Sequence, residues 1–176
     1  MYELSTASAH AAPAMDALFA WGIAVIHAFQ LVASPALTVF ARAVTFLGEP
    51  WVYLAILPFV FWCVNEKRGA RLGLSVLLAN GLVGALKVNL AIPRPGTIDP
   101  SVELITPPDP WSTPSGHAAG SAALWPVLAL GGRKIDDSNR AVKCAGDRAG
   151  RLAGRLSVAL GIPLLVGLSR VYLGVH

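Results

Sequence analysis

Charge is scarce in this chain. Only 14% of its 176 residues are charged and 55% are apolar, with a mean hydropathy of +0.59. A soluble domain carries about 25% charged and about 45–50% apolar residues. So few charges cannot cover a surface that faces water on every side, which excludes an ordinary soluble fold. Long polar segments are missing as well, so residues 1–176 read as one domain. Cysteine is nearly absent, and Cys63 and Cys144 have neither metal-site nor disulfide-framework spacing. The start of the chain lacks the early Lys or Arg of a signal peptide, so all of it is kept in the fold. Its basic stretches lack interleaved aromatics, which argues against a nucleic-acid partner.

What is present is apolar sequence in five runs, at 17–41, 51–64, 72–92, 118–132 and 156–168. A spanning helix needs about 20 mostly apolar residues. Several runs are shorter and must take in their flanks. Together they predict an all-α integral membrane helical bundle with five apolar spans. The loops orient it, because cytoplasmic loops are rich in Lys and Arg. Lys67, Arg68 and Arg71 fall in 65–71. Arg133, Lys134, Arg140, Lys143, Arg148, Arg151 and Arg155 fall in 131–155. Two spans separate these segments, so both lie on one side, the cytoplasmic side. The N-terminus is then inside, and the 95–113 loop and the end of the chain face out. His27, inside the first run, reads as a hydrogen-bonded core or pore residue, and Trp51 and Trp111 as interfacial belt residues. The basic loop sets topology and can attract anionic membrane lipids.

Four basic residues remain, and all fall at the outer side: Arg42, Lys87, Arg94 and Arg170. Lys87 and Arg170 stand at the edges of apolar runs, where a cation is costly unless paired. Arg42 has no companion motif and reads as an interfacial or snorkelling residue. The third run ends in "KVNLAIPRP", where Pro93 and Pro95 interrupt the helix. "PSGH" opens the fourth run, and its Ser115 and Gly116 supply a hydroxyl and N–H groups at a helix N-terminus, a natural phosphate seat. The fifth ends in "SRVYLGVH". Three cations, a helix N-terminus, His117 and His176 thus converge from three spans. Two histidines suffice for phosphoryl transfer without a metal: one attacks phosphorus, and the other moves the protons. Cations around the phosphoryl oxygens take the place of magnesium. No carboxylate cluster adjoins the motifs, so neither metal nor cofactor is expected.

These three motifs, in this order, resemble those of the type 2 phosphatidic acid phosphatase family. Its superfamily includes bacterial acid phosphatases, glucose-6-phosphatase and vanadium haloperoxidases. Lys87, Arg94 and Pro95 match the first motif, Pro114 to His117 the second, and Ser169, Arg170 and His176 the third. The resemblance implies that His176 is the nucleophile and His117 the general acid/base. Lys87, Arg94, Ser115, Gly116 and Arg170 would bind the phosphate. It also implies a multi-pass membrane enzyme acting on a lipid phosphate or diphosphate outside the cytosol, with a polyprenyl diphosphate or phosphatidate among the candidates. The family's third motif continues to an aspartate, and a sixth span usually follows. This sequence stops at His176, so a C-terminally truncated chain is expected. Asp99, Glu103 and Asp109 lie on the appropriate side, but no pattern marks one as a substitute. Two other readings stay open: a phosphatase for water-soluble esters such as sugar phosphates, and an inactive truncated protein that binds lipid phosphate.

Overall fold

A computed structural model describes residues 4–102, 104–105, 111–131 and 145–175, with side chains from residue 16 onward except at 145–149 and 151. The described residues form helices and contain no strand. In order these are α1 (Leu4–Gln30), α2 (Pro35–Phe46), α3 (Pro50–Phe59), a π-helical turn (Val60–Val64), α4 (Glu66–Leu90), the short α5 (Pro95–Ile98), a 3₁₀ turn (Pro100–Val102), α6 (Gly116–Leu130) and α7 (Ala145–Tyr172).

Helix α2 starts where its sequence predicts a start. Ser34 is its N-cap, its hydroxyl accepts from the Leu37 amide at 3.2 Å, and Pro35 takes the first helical position. That restart breaks the 17–41 run, expected as one span. Its two parts, Asp16–Gln30 and Pro35–Phe46, are bent by 118°. Only α4 and Leu152–Tyr172 of α7 are long and apolar enough to cross a membrane, and the bent pair would make a third span. Two to three spans therefore stand where the sequence suggested five. The reason is length. The 118–132 run folds into α6, whose 15 residues reach about 22 Å at 1.5 Å per residue, short of a hydrocarbon core of about 30 Å. The 51–64 run is likewise short, and α3 gives way to the π turn just after Pro58, which has no N–H to give. Helix α7 is longer than expected. It absorbs 145–155, which its charge had assigned to a loop, while 132–144 lie outside the described residues.

Each crossing window is only 17% buried within the protein, and Leu77 and Val88 of α4 are 71% and 75% exposed. Such apolar faces belong in lipid. There, helices gain little from hydrophobicity and associate by close packing, and this fold packs closely. Tyr53, Val60, Leu72, Val76 and Leu124 join α3, the π turn, α4 and α6. Ala41, Tyr172, Leu173 and Val175 join α2 to the end of α7. Gly69 sits so tightly on the π turn that a Cβ would lie 2.4 Å from the Phe61 Cα. With α6 packed on both α4 and α7, the end of α4, the start of α6 and the end of α7 share one end of the bundle.

Candidate active site

The first wall of the site is the end of α4. Lys87 lies in the last turn, half-buried. Ala91 closes the helix with φ 45°, and its N–H donates to the Lys87 carbonyl at 2.9 Å. A left-handed alanine costs about 1–2 kcal/mol, here offset by a turn that sends the chain into Pro93-Arg94-Pro95. Arg94 is buried at 2% exposure, and its Nη1 donates to the Val175 carbonyl. Pro93 pairs with Trp111 in an isolated antiparallel bridge, and the Ser112 amide donates to the Ile92 carbonyl at 2.9 Å. These contacts lay the approach to α6 beside the exit from α4. They also fix Trp111 by its backbone.

The second wall is the start of α6. Ser115 is the N-cap: its carbonyl accepts from the Ala119 amide at 3.0 Å and its Oγ from Ala118 at 3.4 Å. The hydroxyl hydrogen remains a donor. A Cβ on Gly116 would meet nothing within 4 Å, so the helix start has open space before it. His117 follows, 17% exposed, with its Nε2 2.9 Å from Glu49 Oε1. Glu49 went unnoticed in the sequence. It precedes α3, and Gly48 brings it close. A Cβ on Gly48 would lie 2.9 Å from Val166 Cγ1 and 3.0 Å from the His117 carbonyl, so any larger residue would push the turn and its carboxylate away. Tyr53 donates to the Gly48 carbonyl at 2.6 Å and rests on Gly120, where a Cβ would come within 2.5 Å of the phenol oxygen.

His117 lies at the mouth, before the apolar run begins at Ala118. Burial is the largest influence on it and lowers its pKa below the ordinary imidazole value. The Glu49 hydrogen bond opposes this, and the Arg170 and Lys87 charges add to the lowering. The same influences place both cations within electrostatic reach of the ring.

The third wall is the end of α7. Arg170 is buried. Ser169 donates to the Val166 carbonyl at 2.8 Å and so accepts from the Thr45 hydroxyl at 2.7 Å, which ties α7 to α2. Thr38 and Tyr172 share a second hydroxyl contact at 2.9 Å. Gln30 donates to the carbonyls of Val102 at 2.7 Å and Tyr172 at 3.0 Å, docking α1 on the 3₁₀ turn and the end of α7. Between these elements lies a cavity of about 510 Å³, lined by Arg42, Thr45, Phe46, Glu49, Ile105 and Arg170 among others. Arg42 is exposed and donates to the Leu104 carbonyl at 3.1 Å.

The structure thus brings Lys87, Arg94, Ser115, Gly116, His117 and Arg170 to one end of the bundle. His176, Glu103 and Asp109 lie outside the described residues, though Val175 beside His176 is placed. Asp99 belongs to its own loop. The Ser101 hydroxyl and amide, then His27 at 3.2 Å, hold its carboxyl below the usual range. His27, expected in the core, is instead an exposed partner of Asp99. Among the described residues no three His, Cys, Asp or Glu side chains gather as a metal site requires.

A family model for the PAP2 superfamily matches residues 68–176, a stretch that contains all three motifs. Among solved structures, the fold is similar to the first transmembrane PAP2 type phosphatidylglycerolphosphate phosphatase from Bacillus subtilis. The TM-score is 0.70 at 25% identity, covering 91% of this chain and 75% of that one. It is also similar to Aquifex aeolicus LpxE, with a TM-score of 0.59 at 27% identity over 85% of this chain and 81% of that one. No curated protein matches the chain. More than half of the sequence, including each wall of the site just described, falls within the family match: the chain belongs to the PAP2 superfamily and has the fold of a PAP2-type membrane phosphatase.

Proposed function

We propose that this protein is a multi-pass membrane phosphatase that hydrolyses a lipid phosphate or diphosphate through a phosphohistidine, without a metal. What supports the reading best is the meeting of three distant segments. Arg94 reaches the Val175 carbonyl, and His117 feels both Lys87 and Arg170. In this scheme Lys87, Arg94 and Arg170 hold the phosphoryl oxygens with the Ser115 hydroxyl and the N-terminal amides of α6. An imidazole nitrogen of His176 attacks phosphorus. The bond from phosphorus to the leaving oxygen breaks, and its electron pair stays on that oxygen, which takes a proton from His117. Water then attacks the phosphohistidine, His117 takes its proton, and the P–N bond breaks to restore His176.

The resting site favours neutral His117. A bound phosphate dianion would offset the Arg170 and Lys87 charges and favour the imidazolium needed to protonate the leaving group. The site then opens on the non-cytoplasmic side, in a bundle where the five apolar runs all lie at membrane depth, the short ones packed within it. Lipid-facing helices around a cavity with both charged and apolar lining suit an amphiphile whose tail stays in the bilayer. The solved B. subtilis relative is by its title a phosphatidylglycerolphosphate phosphatase, which favours lipid over sugar phosphates. The test is phosphate release by purified protein in detergent with EDTA. Phosphatidate, phosphatidylglycerophosphate and a prenyl diphosphate should turn over, and glucose 6-phosphate should not. A preference for the sugar phosphate would replace the lipid reading. Vanadate binding without turnover of any substrate would point to an inactive binder.

A further inference from the structure

Three motifs account for Lys87, Arg94 and Arg170; of these Arg170 lines the 510 Å³ cavity, and a cation outside the motifs, Arg42, lines it as well. Arg42 sits on α2 with Thr45 three residues on, Phe46 four on and Glu49 seven on. All four line the 510 Å³ space together with Arg170. Residues at i, i+3 and i+4 share a helix face, so α2 turns the edge carrying Arg42, Thr45 and Phe46 toward this cavity, and Glu49, just before α3, adds to its lining. The 118° bend between α1 and α2 aims that edge. A guanidinium has five N–H donors in a planar fork. The Leu104 carbonyl takes one of them, at 3.1 Å, while the side chain stays exposed. Phe46 and Ile105 supply apolar wall beside it.

We propose that Arg42 forms a second anion subsite, which recognises a further negative group carried by the substrate next to the scissile phosphate. Such a group is either the inner phosphate of a diphosphate or the phosphodiester of a glycerophospholipid head group. The proposal rests on the phosphatase reading for the scissile phosphate itself. It narrows the substrate to doubly anionic lipids and sets simple monophosphates as the poorer class.

The test compares kcat/KM for paired substrates in detergent: a prenyl diphosphate against the same prenyl monophosphate, and phosphatidylglycerophosphate against phosphatidate. Arg42→Gln keeps an N–H for Leu104 but loses the charge, and Arg42→Lys keeps the charge. A charge-assisted hydrogen bond supports about tenfold discrimination, reduced where water and salt reach it. Arg42→Gln should therefore lower the preference for the doubly anionic member by about 3- to 10-fold, and added salt should narrow the gap. Arg42→Lys should retain much of the preference. Loss confined to the diphosphate pair identifies the inner phosphate, and loss confined to the glycerolipid pair identifies the phosphodiester. An unchanged preference, or equal losses on all four substrates, overturns the subsite.

A second arm needs no turnover. Inorganic pyrophosphate should raise the Tm of the wild-type protein more than inorganic phosphate does, and Arg42→Gln should erase that difference. If no lipid phosphate is hydrolysed but the pyrophosphate difference behaves so, the phosphatase reading fails and the subsite stands. If hydrolysis proceeds without that difference, the subsite fails alone.

Discussion

Replacing Glu49 with glutamine tests a contact at the site that joins two ionisable side chains. The substitution keeps the length and a hydrogen-bonding amide but removes the charge 2.9 Å from His117 Nε2. A hydrogen bond to a charged group contributes about 1.5–3 kcal/mol. Glu49 is 35% exposed, and screening takes the expectation to the lower end, about 1.5 kcal/mol. That corresponds to about a tenfold loss in kcat/KM, since a factor of ten is 1.36 kcal/mol. The pH profile separates this role from a merely structural one. The carboxylate favours the imidazolium against burial, so removing it lowers the His117 pKa further. Protonating an alcohol leaving group requires that imidazolium in the first irreversible step. The alkaline limb of kcat/KM reports the free enzyme. It should lie below the ordinary imidazole value of about 6.5 in the wild type and move further toward acid in Glu49→Gln. Glu49→Asp should move it back toward the wild-type position. The assay is phosphate release from a short-chain phosphatidate between pH 4 and pH 9, with Tm measured alongside. A Glu49→Gln profile that overlies the wild type refutes the coupling, as does a loss of rate that tracks only a lowered Tm.

Other consequences follow from the same contacts. His117→Ala should lose about 10²–10⁴-fold on alkyl phosphates but much less on p-nitrophenyl phosphate, whose leaving group needs little protonation; equal losses would remove the general-acid role. Gly120→Ala should displace Tyr53 from its bond to Gly48, and Gly48→Ala should press on stiff, buried Val166. Each overpacked site should cost about 1–3 kcal/mol of stability, read as a lowered Tm in detergent. Thr45→Val leaves Ser169 donating to Val166 but removes its buried hydroxyl partner, for a loss of about 1 kcal/mol; an unchanged Tm would mean that the tie between α2 and α7 carries no stability. Turnover should continue in EDTA, and a loss restored by a divalent ion would remove the metal-free scheme.

Much of this arrangement was legible from residue order alone, because its chemistry is packed into short motifs. Lys87 and Arg94 are separated by one helix end, and Ser115 to His117 are contiguous. What escaped lies in residues whose role is created by packing. Glu49 stands in an unremarkable "GEP" turn, and only the absent side chain of Gly48 lets that turn press against α6. The cavity face of α2 was visible in principle as Arg42, Thr45 and Phe46 at helical spacing. It was hidden because 17–41 read as one continuous apolar run, although Ser34-Pro35 carries a helix-start signal. Charge misled in the opposite direction at 145–155. Arginines and glycines suggested a loop, yet Leu152, Ala153 and Leu156 repeat with helical period and nothing there breaks the helix. The span count suffered from treating hydropathy as length, since α6 is apolar throughout most of its course but ends after 15 residues.

Rapid quenching of the protein with a ³²P-labelled lipid phosphate addresses the mechanism most directly. A labelled adduct should form within one turnover, survive alkali, decay in acid and map to His176, and His176→Ala should abolish it while His117→Ala allows it to persist longer. A turnover-competent protein that never carries the label, or carries it in the His176→Ala variant, would contradict the account.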